Sequence, residues 1–391
     1  MEHRVLRTFH PVGQGAFYSE RHSDFNIVYD CGSMPLLSNT KSVVKSAFNK
    51  SDVIDVLFIS HFDYDHVSAI SVLVNSVSKI ERVVLPLLHD EHKNLLININ
   101  RALSQNIVKL LKDPQSFFGE KTDIIYVKAA PPEENIENSE TSEREQFDLR
   151  EIRQRISKAS GRFEIDSGSI LSIGNIVHWV FVPYNFCNAN RSYQLESRLK
   201  AAGFDIDQLK NSPSYGLTEF TTPQSRKTLR SIYSRVDGNV NENSMLLYSG
   251  PGDTVKNRLW WNCDDECSLP ICWFERPGCI YTGDSDLNKI DILSKFSEFE
   301  RYIGTIQVPH HGSRHNFSIA ALNEYWSPIF CPISFGTKNR YGHPATEVIN
   351  QLAAHRHIPL LITEEPNTVL VQKFSSVDKK LKSLEKALGK F

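Results

Sequence analysis

The chain has 391 residues, 40% of them hydrophobic, enough to bury one large core or two smaller ones. Its 44 Lys and Arg against 46 Asp and Glu give a formal net charge of −2, which excludes the overall basic field that draws nucleic acid from a distance. Any nucleic-acid contact must therefore be local. No apolar run approaches membrane-spanning length and nothing resembles a signal peptide; with seven cysteines, an odd number, these features lead to an expectation of a cytoplasmic protein with no membrane partner.

In chain order, Val5 to Phe9 reads as a strand, followed by the glycine-broken connection Pro11-Val12-Gly13-Gln14-Gly15-Ala16-Phe17. Asn26 to Tyr29 is a second strand, ending in Asp30-Cys31-Gly32-Ser33. Asp30 at that position is either a plain Asx-turn or a partner for the far nitrogen of a metal-bound histidine. The apolar run Val53 to Ile59 reads as a buried strand and Val67 to Val77 as an amphipathic helix. Between them lies Ser60-His61-Phe62-Asp63-Tyr64-Asp65-His66, two histidines and two aspartates within six residues. A rigid strand fixes where such a loop emerges. His61, Asp63 and Asp65 alternate along a near-extended backbone, and His66 turns in as the helix begins. Imidazole and carboxylate together suit borderline-to-hard divalent ions such as Zn, Mn or Fe.

Further on, Arg82 to Leu85 and Asp123 to Val127 read as strands, with helical patterns from His89 to Leu111. Residues 131–147 are acidic and poor in large apolar side chains, the mark of a solvated loop. A helix from about Asp148 and strands Ile170–Ile173 and Ile176–Val182 follow. Residues of about 185–240 form a helical insertion with an excess of base that includes Arg226, Lys227, Arg230 and Arg235. These charges either flank a phosphate-bearing substrate or form a solvated helical face. Met245 to Tyr248 returns to strand. A Cys- and Trp-rich insertion at about 251–277 then leads to Cys279; Cys263, Cys267, Cys272 and Cys279 match no tight C-x-x-C pair, so a thiol-bearing hairpin stands beside a zinc knuckle as the reading.

Three more strands then deliver His or Asp at their ends. Cys279–Tyr281 leads into Thr282-Gly283-Asp284, and Thr305–Val308 into Pro309-His310-His311-Gly312-Ser313-Arg314. Ile329–Phe335 leads towards Tyr341-Gly342-His343-Pro344. A histidine of the core would sit within a periodic face; repeated delivery to strand ends points to a metal site at a sheet edge. Strands Pro359–Ile362 and Thr368–Val371 and a basic helix from Ser376 to Leu388 close the chain.

With these residues in hand the sequence resembles the metallo-β-lactamase-fold hydrolases. His61-x-Asp63-x-Asp65-His66 is similar to the HxHxDH signature of that superfamily, with Asp in the second histidine's place. The closer resemblance is to the soluble hydrolase domain of ComEC-type competence proteins. Val12-Gly13-Gln14-Gly15, Tyr29-Asp30-Cys31-Gly32, Thr282-Gly283-Asp284, the HHGS turn and Gly342-His343-Pro344 follow in family order, so the similarity runs from about Arg4 to about Leu361. The separate downstream histidine of the superfamily has no counterpart, since His178 lies mid-strand. The resemblance implies one α/β domain over residues 1–391, a four-layer αββα sandwich with insertions. It also implies one or two divalent ions, Zn or Mn. By it, His61 and Asp63 hold one ion and Asp65, His66 and His310 a second, with Asp284 bridging and Asp30 behind. The ions would activate water and clamp phosphoryl oxygens. Asp65, His311 and His343 are the expected catalytic groups, the histidines stabilising charge on phosphate or protonating the leaving oxygen.

The function this implies is a metal-dependent phosphodiesterase or nuclease. The rival readings are a small-molecule phosphodiesterase or esterase, and a non-enzymatic interaction module on a hydrolase scaffold. Nucleic acid is the expected partner, met by Arg226, Lys227, Arg230, Arg235 and Arg314, with room for a regulatory protein.

Overall fold

The computed structural model of the chain describes residues 4–130, 144–157, 162–173, 179–187, 190–233, 243–252, 259–263, 276–322 and 328–378. Two sheets form its centre. The first runs in the order β10 (Phe163–Ile165), β8 (Asp123–Val127), β7 (Arg82–Pro86), β5 (Val56–Phe58), β3 (Asn26–Cys31), β2 (Phe17–His22), β1 (Arg4–Phe9), β19 (Leu370–Asp378) and β14 (Leu259–Cys263). The second runs β18 (Ile358–Ile362), β17 (Phe330–Ser334), β16 (Ile303–Ile306), β15 (Gly278–Tyr281), β13 (Asn243–Pro251), β12 (Trp179–Cys187), β11 (Ile170–Ser172) and β9 (Gln146–Asp148). A two-stranded pair, β4 (Val53–Ile54) and β6 (Lys79–Ile80), stands apart.

Side-chain alternation explains the layering. Ile27, Tyr29, Val56 and Phe58 face Phe181, Met245, Leu247 and Tyr281 in one cluster between the sheets. The intervening Val28 and Leu57 point outward, where they pack on α1 (Ser38–Ser46), α2 (Tyr64–Val67), α3 (Ile70–Ser76), α4 (Asp90–Leu103) and α5 (Gln105–Lys112), with α6 (Pro114–Phe118) close by. On the far side Leu246, Ile280, Ile306 and Ile333 pack on α12 (Ile292–Phe296) and α13 (Thr346–Ala354). Helix, sheet, sheet, helix is the four-layer α/β order expected. Short α7 (Ile152–Ile156) joins the inter-sheet core through Ile152. The insertion forms α8 (Asn190–Ala201), α9 (Ile206–Asn211), α10 (Tyr215–Glu219) and α11 (Pro223–Tyr233). Its Leu199, Leu209, Phe220 and Leu229 cluster with Leu95 and Ile99 of α4. Asn98 pins it further, giving its Nδ2 to the carbonyls of Leu209 and Ser212 and taking the Gly216 N–H on Oδ1.

Several expectations need correction. Between the connection ending at Phe17 and the strand from Asn26 no element is expected, yet Phe17–His22 is a strand. Glu20 is fully buried against Arg7, Tyr281 and Ser249, and this pairing overrides its polarity. The run Val53–Ile59 splits at Asp55 into two strands of different sheets. The helix expected over Val67–Val77 starts at Tyr64 and breaks at Ser68-Ala69, where Ala69 N–H bonds the Cys31 carbonyl. Ser376 to Asp378 continue β19 and do not open a helix; residues 379–391 lie outside the described residues. Residues 131–143, His178, Arg235, Cys267 and Cys272 also lie outside them. Cys279 is buried between the sheets.

Candidate metal centre

In the first sheet β3, β5 and β7 run parallel, and in the second β15, β16 and β17 do. Their C-terminal ends meet along one edge, stitched by Met245 N–H to the Ser60 carbonyl and by Tyr18 Oη–H to Ser334 Oγ. Every residue of the candidate site leaves one of these ends.

Three turns pack with no spare room. A Cβ on Gly15 would lie 2.4 Å from the Gly32 carbonyl oxygen, and one on Gly32 would lie 2.6 Å from the Asp65 backbone. The two glycine turns thus press directly against the segment that carries Asp65 and His66. Among the described residues four non-glycines have positive φ, and three are at the site: Asp30 at 54°, His310 at 48° and His311 at 56°. Left-handed backbone at such residues costs free energy and persists where the surroundings impose it, often at functional sites.

Hydrogen bonds fix which nitrogen of each histidine faces inward. Asp30 accepts from Ser60 N–H at 2.7 Å, Ser60 Oγ–H at 2.6 Å and His66 Nδ1 at 2.8 Å. Burial raises the pKa of this carboxyl, and those bonds pull it back. The single hydroxyl proton of Ser60 goes to Asp30, so Nδ1 of His61, 2.8 Å from Ser60 Oγ, is the donor there. His311 Nδ1 donates to the Ser334 carbonyl at 2.8 Å. Asn316 gives its Nδ2 to the Asp284 carbonyl, leaving Oδ1 to accept from His310 Nδ1 at 2.9 Å. In each neutral ring Nε2 then carries the lone pair.

Those lone pairs converge on carboxylates. His66 Nε2 is 3.1 Å from Asp284 Oδ1; His61 Nε2 is 3.6 Å from Asp284 Oδ2 and 3.6 Å from Asp63 Oδ2. His311 Nε2 is 3.0 Å from Asp65 Oδ2, and His310 Nε2 is 3.8 Å from Asp284 Oδ2. Two sets therefore form, His61–His66–Asp284 and Asp65–His66–His311, the donor atoms of each within 4.8 Å of one another. Lone pair facing carboxylate repels unless a proton or cation lies between. Burial works against charge on His66, but Asp284 and Asp30 outweigh it and hold its pKa well above the ordinary imidazole value. Burial likewise opposes charge on Asp284, which His66, His310 and His61 keep well below the carboxylate range. A divalent ion satisfies the same groups without protons, across gaps that two metal–ligand bonds of about 2.0–2.2 Å can span. The donor set fits such an ion.

The structure thus regroups two residues. The resemblance places His310 with Asp65 and His66; His311 occupies that place instead, and His310 lies beside Asp284. Asp63 stands at the N-cap position of α2 without a side-chain capping bond, its Oδ2 near His61 Nε2. His343 is buried with its ring 5.3 Å from that of His310, and burial, then the charge of His310, hold its pKa down to about 3. Of the basic residues, Arg226 donates Nε to the Phe220 carbonyl and Arg230 caps the Ala102 carbonyl. Arg314 reaches no closer than 4.0 Å to Glu347 at the surface.

Sequence reasoning missed the residues that hold the turns. Gln307 is buried; its Oε1 accepts from the N–H groups of Thr282 and Gly283, and its Nε2 donates to the Gly283 and Val308 carbonyls. Ser244 Oγ accepts from Asp284 N–H at 3.2 Å. The only available signal was their place, beside the strand ends that deliver ligands.

No protein-family model and no curated protein matches the chain. Among solved structures 36 chains match. One is the metallo-beta-lactamase fold protein YhfI from Bacillus subtilis, 9% identical over 94% of this chain and 99% of that one, with a TM-score of 0.39. The layers and the ligand sets above rest on this chain's own geometry. Among the described residues no helix is long and apolar enough to cross a membrane.

Proposed function

We propose that the chain is a metal-dependent hydrolase acting on phosphodiesters, with a nucleic-acid strand as substrate. The observation that carries this reading is the pair of donor sets sharing His66 at one sheet edge. A divalent ion held by His66 Nε2 together with His61 and Asp284, or together with Asp65 and His311, would supply a Lewis acid for a phosphoryl oxygen and lower the pKa of water. Each set includes a carboxylate, which hardens the site towards Mn as well as Zn.

The chain's own residues do the rest. Asp30 and Ser60 lock the tautomers of His66 and His61, and Ser334 locks that of His311. His343, kept neutral near pH 7, presents a buried Nδ1 that makes no hydrogen bond among the described residues. In the proposed reaction it hydrogen-bonds a phosphoryl or leaving oxygen. His311 is taken up with Asp65, so of the two histidines this role falls to His343 alone.

The test is a turnover screen of single-stranded DNA, duplex DNA, RNA and a small aryl phosphodiester, with Mn and with Zn, at two salt concentrations. Cleavage of a polynucleotide that weakens steeply with salt supports the reading. Turnover of the small diester alone, insensitive to salt, replaces it with a small-molecule phosphodiesterase. No turnover by metal-loaded protein leaves an interaction module.

A further inference from the structure

A groove of about 1110 Å³, larger than the roughly 300–1,000 Å³ of most small-molecule sites, is linked to the metal centre through the rings of Tyr341 and His343. We infer that this groove seats the backbone and bases of a single-stranded polynucleotide, an inference that rests on the proposed nucleic-acid substrate and names its binding surface. The insertion builds one wall, with Lys227 and Arg230 of α11; the loop after β17 builds another, with Lys338 and Arg340. Four basic side chains thus line it against two acidic ones, Glu364 and Glu365, in a chain whose net charge is −2. The local base that long-range charge does not provide is concentrated here. Burial opposes charge on Glu364, but hydrogen bonds from Thr337 and the charge of Lys338 hold its carboxyl below the ordinary range, while Arg230 is held by its bonds to the Ala102 carbonyl.

The apolar part of the lining favours a single strand over a duplex. Val12, Met34, Pro35 and Leu37 give the groove an apolar side, and Leu37 is 56% exposed, one of few large hydrophobics left in solvent. In a duplex the base faces are stacked away; in a single strand they are free to lie on apolar and aromatic side chains while cations follow the phosphates. Tyr341 provides the aromatic ring and the link to the reaction site. It lines the groove, its ring is 5.8 Å from that of His343, and His343 is 5.3 Å from His310. A strand along the groove would bring its backbone to Tyr341 and so towards His343.

The test measures binding of labelled single-stranded DNA and RNA of about 12 nucleotides, within the usual site size, by fluorescence anisotropy on the full chain in chelator. Lys338→Glu with Arg340→Glu is expected to weaken binding about tenfold or more and to flatten the log–log salt dependence by about 0.7 for each phosphate no longer neutralised. Both residues are exposed, so the melting temperature checks that the variant is folded. Unchanged affinity in the folded variant, salt-independent binding, or equal affinity for duplex overturns the inference. Turnover of a small aryl phosphodiester by the wild type separates the two readings. With turnover but no strand binding, the groove assignment falls and the hydrolase stands. With salt-sensitive strand binding abolished by charge reversal but no turnover of anything, the groove stands and the hydrolase falls.

Discussion

Asp30 takes the Nδ1 proton of His66 at 2.8 Å from a backbone held at φ 54°. From this left-handed backbone at the end of β3 the one carboxylate reaches both Ser60 and His66. Partners of this kind set ligand orientation and basicity, and their loss typically costs about 10–100-fold in metal affinity. Asp30→Asn is therefore expected to weaken Zn or Mn binding by about that factor, read by competition with a chelating dye. Unchanged affinity in a folded variant contradicts the assignment.

Gln307 offers an independent check. It touches no donor atom, yet its amide takes the Thr282 and Gly283 N–H groups and so shapes the turn that carries Asp284. Gln307→Glu keeps the acceptor and loses the donor to the Gly283 and Val308 carbonyls. Metal affinity is expected to fall, by about tenfold, further in Gln307→Ala than in Gln307→Glu. Equal affinity in all three proteins would leave Gln307 a packing residue only.

Asp65 sits in the first turn of α2, 13% exposed, and contributes little to the core. Asp65→Ala is expected to abolish hydrolysis and keep the circular dichroism spectrum. Wild-type turnover in that variant rules out the Asp65–His66–His311 set.

How much of this was legible in the sequence differs by element. The ligand turns were visible because a strand end followed by His or Asp is a local pattern, as at Tyr281 before Asp284. The grouping of His310 and His311 was not, since which of the two meets Asp65 depends on the left-handed backbone both adopt, which no propensity foretells. The strand at residues 17–22 was hidden for another reason. Glu20 is polar in sequence, and only a long-range partner, Arg7, makes it a core residue. The groove needed five separated segments to meet, so its basic lining combined Lys227 with Lys338 in a way that no stretch of sequence contains.

The Arg7–Glu20 pair itself carries a stability prediction. Both side chains are fully buried, and Glu20 also takes hydrogen bonds from Tyr281 and Ser249 while Arg7 reaches Gln372. Removing one partner strands a buried charge, at a cost of about 3–5 kcal/mol. Glu20→Ala should lower the denaturant midpoint accordingly, and Arg7→Met with Glu20→Leu should recover part of it. A Glu20→Ala midpoint equal to wild type contradicts this account of the inter-sheet core.

Acid sensitivity follows from His10. It is buried against Phe17 and Ser19, away from the ligands, and burial lowers its pKa to about 3. The unfolded chain protonates this ring near pH 6.5 while the folded chain does not, so unfolding takes up a proton between those values. Its contribution is complete above about pH 6.5 and is lost progressively as pH falls towards 3. The fall in melting temperature from pH 7 to 5 should be shallower in His10→Gln than in wild type. Identical slopes would show that other groups set the acid limit.

His66 Nε2, the one lone pair common to both donor sets, is the ligand on which divalent-ion binding turns. Isothermal titration of Mn or Zn into the chelator-stripped protein tests it most directly, with His61→Ala, His311→Ala and His66→Ala alongside. The expected result is binding by the wild type with a rise in melting temperature. His61→Ala and His311→Ala should each lose part of that binding, and His66→Ala should lose essentially all of it. No heat and no thermal shift in the folded wild type, or a His66→Ala variant that binds as the wild type does, would contradict the account.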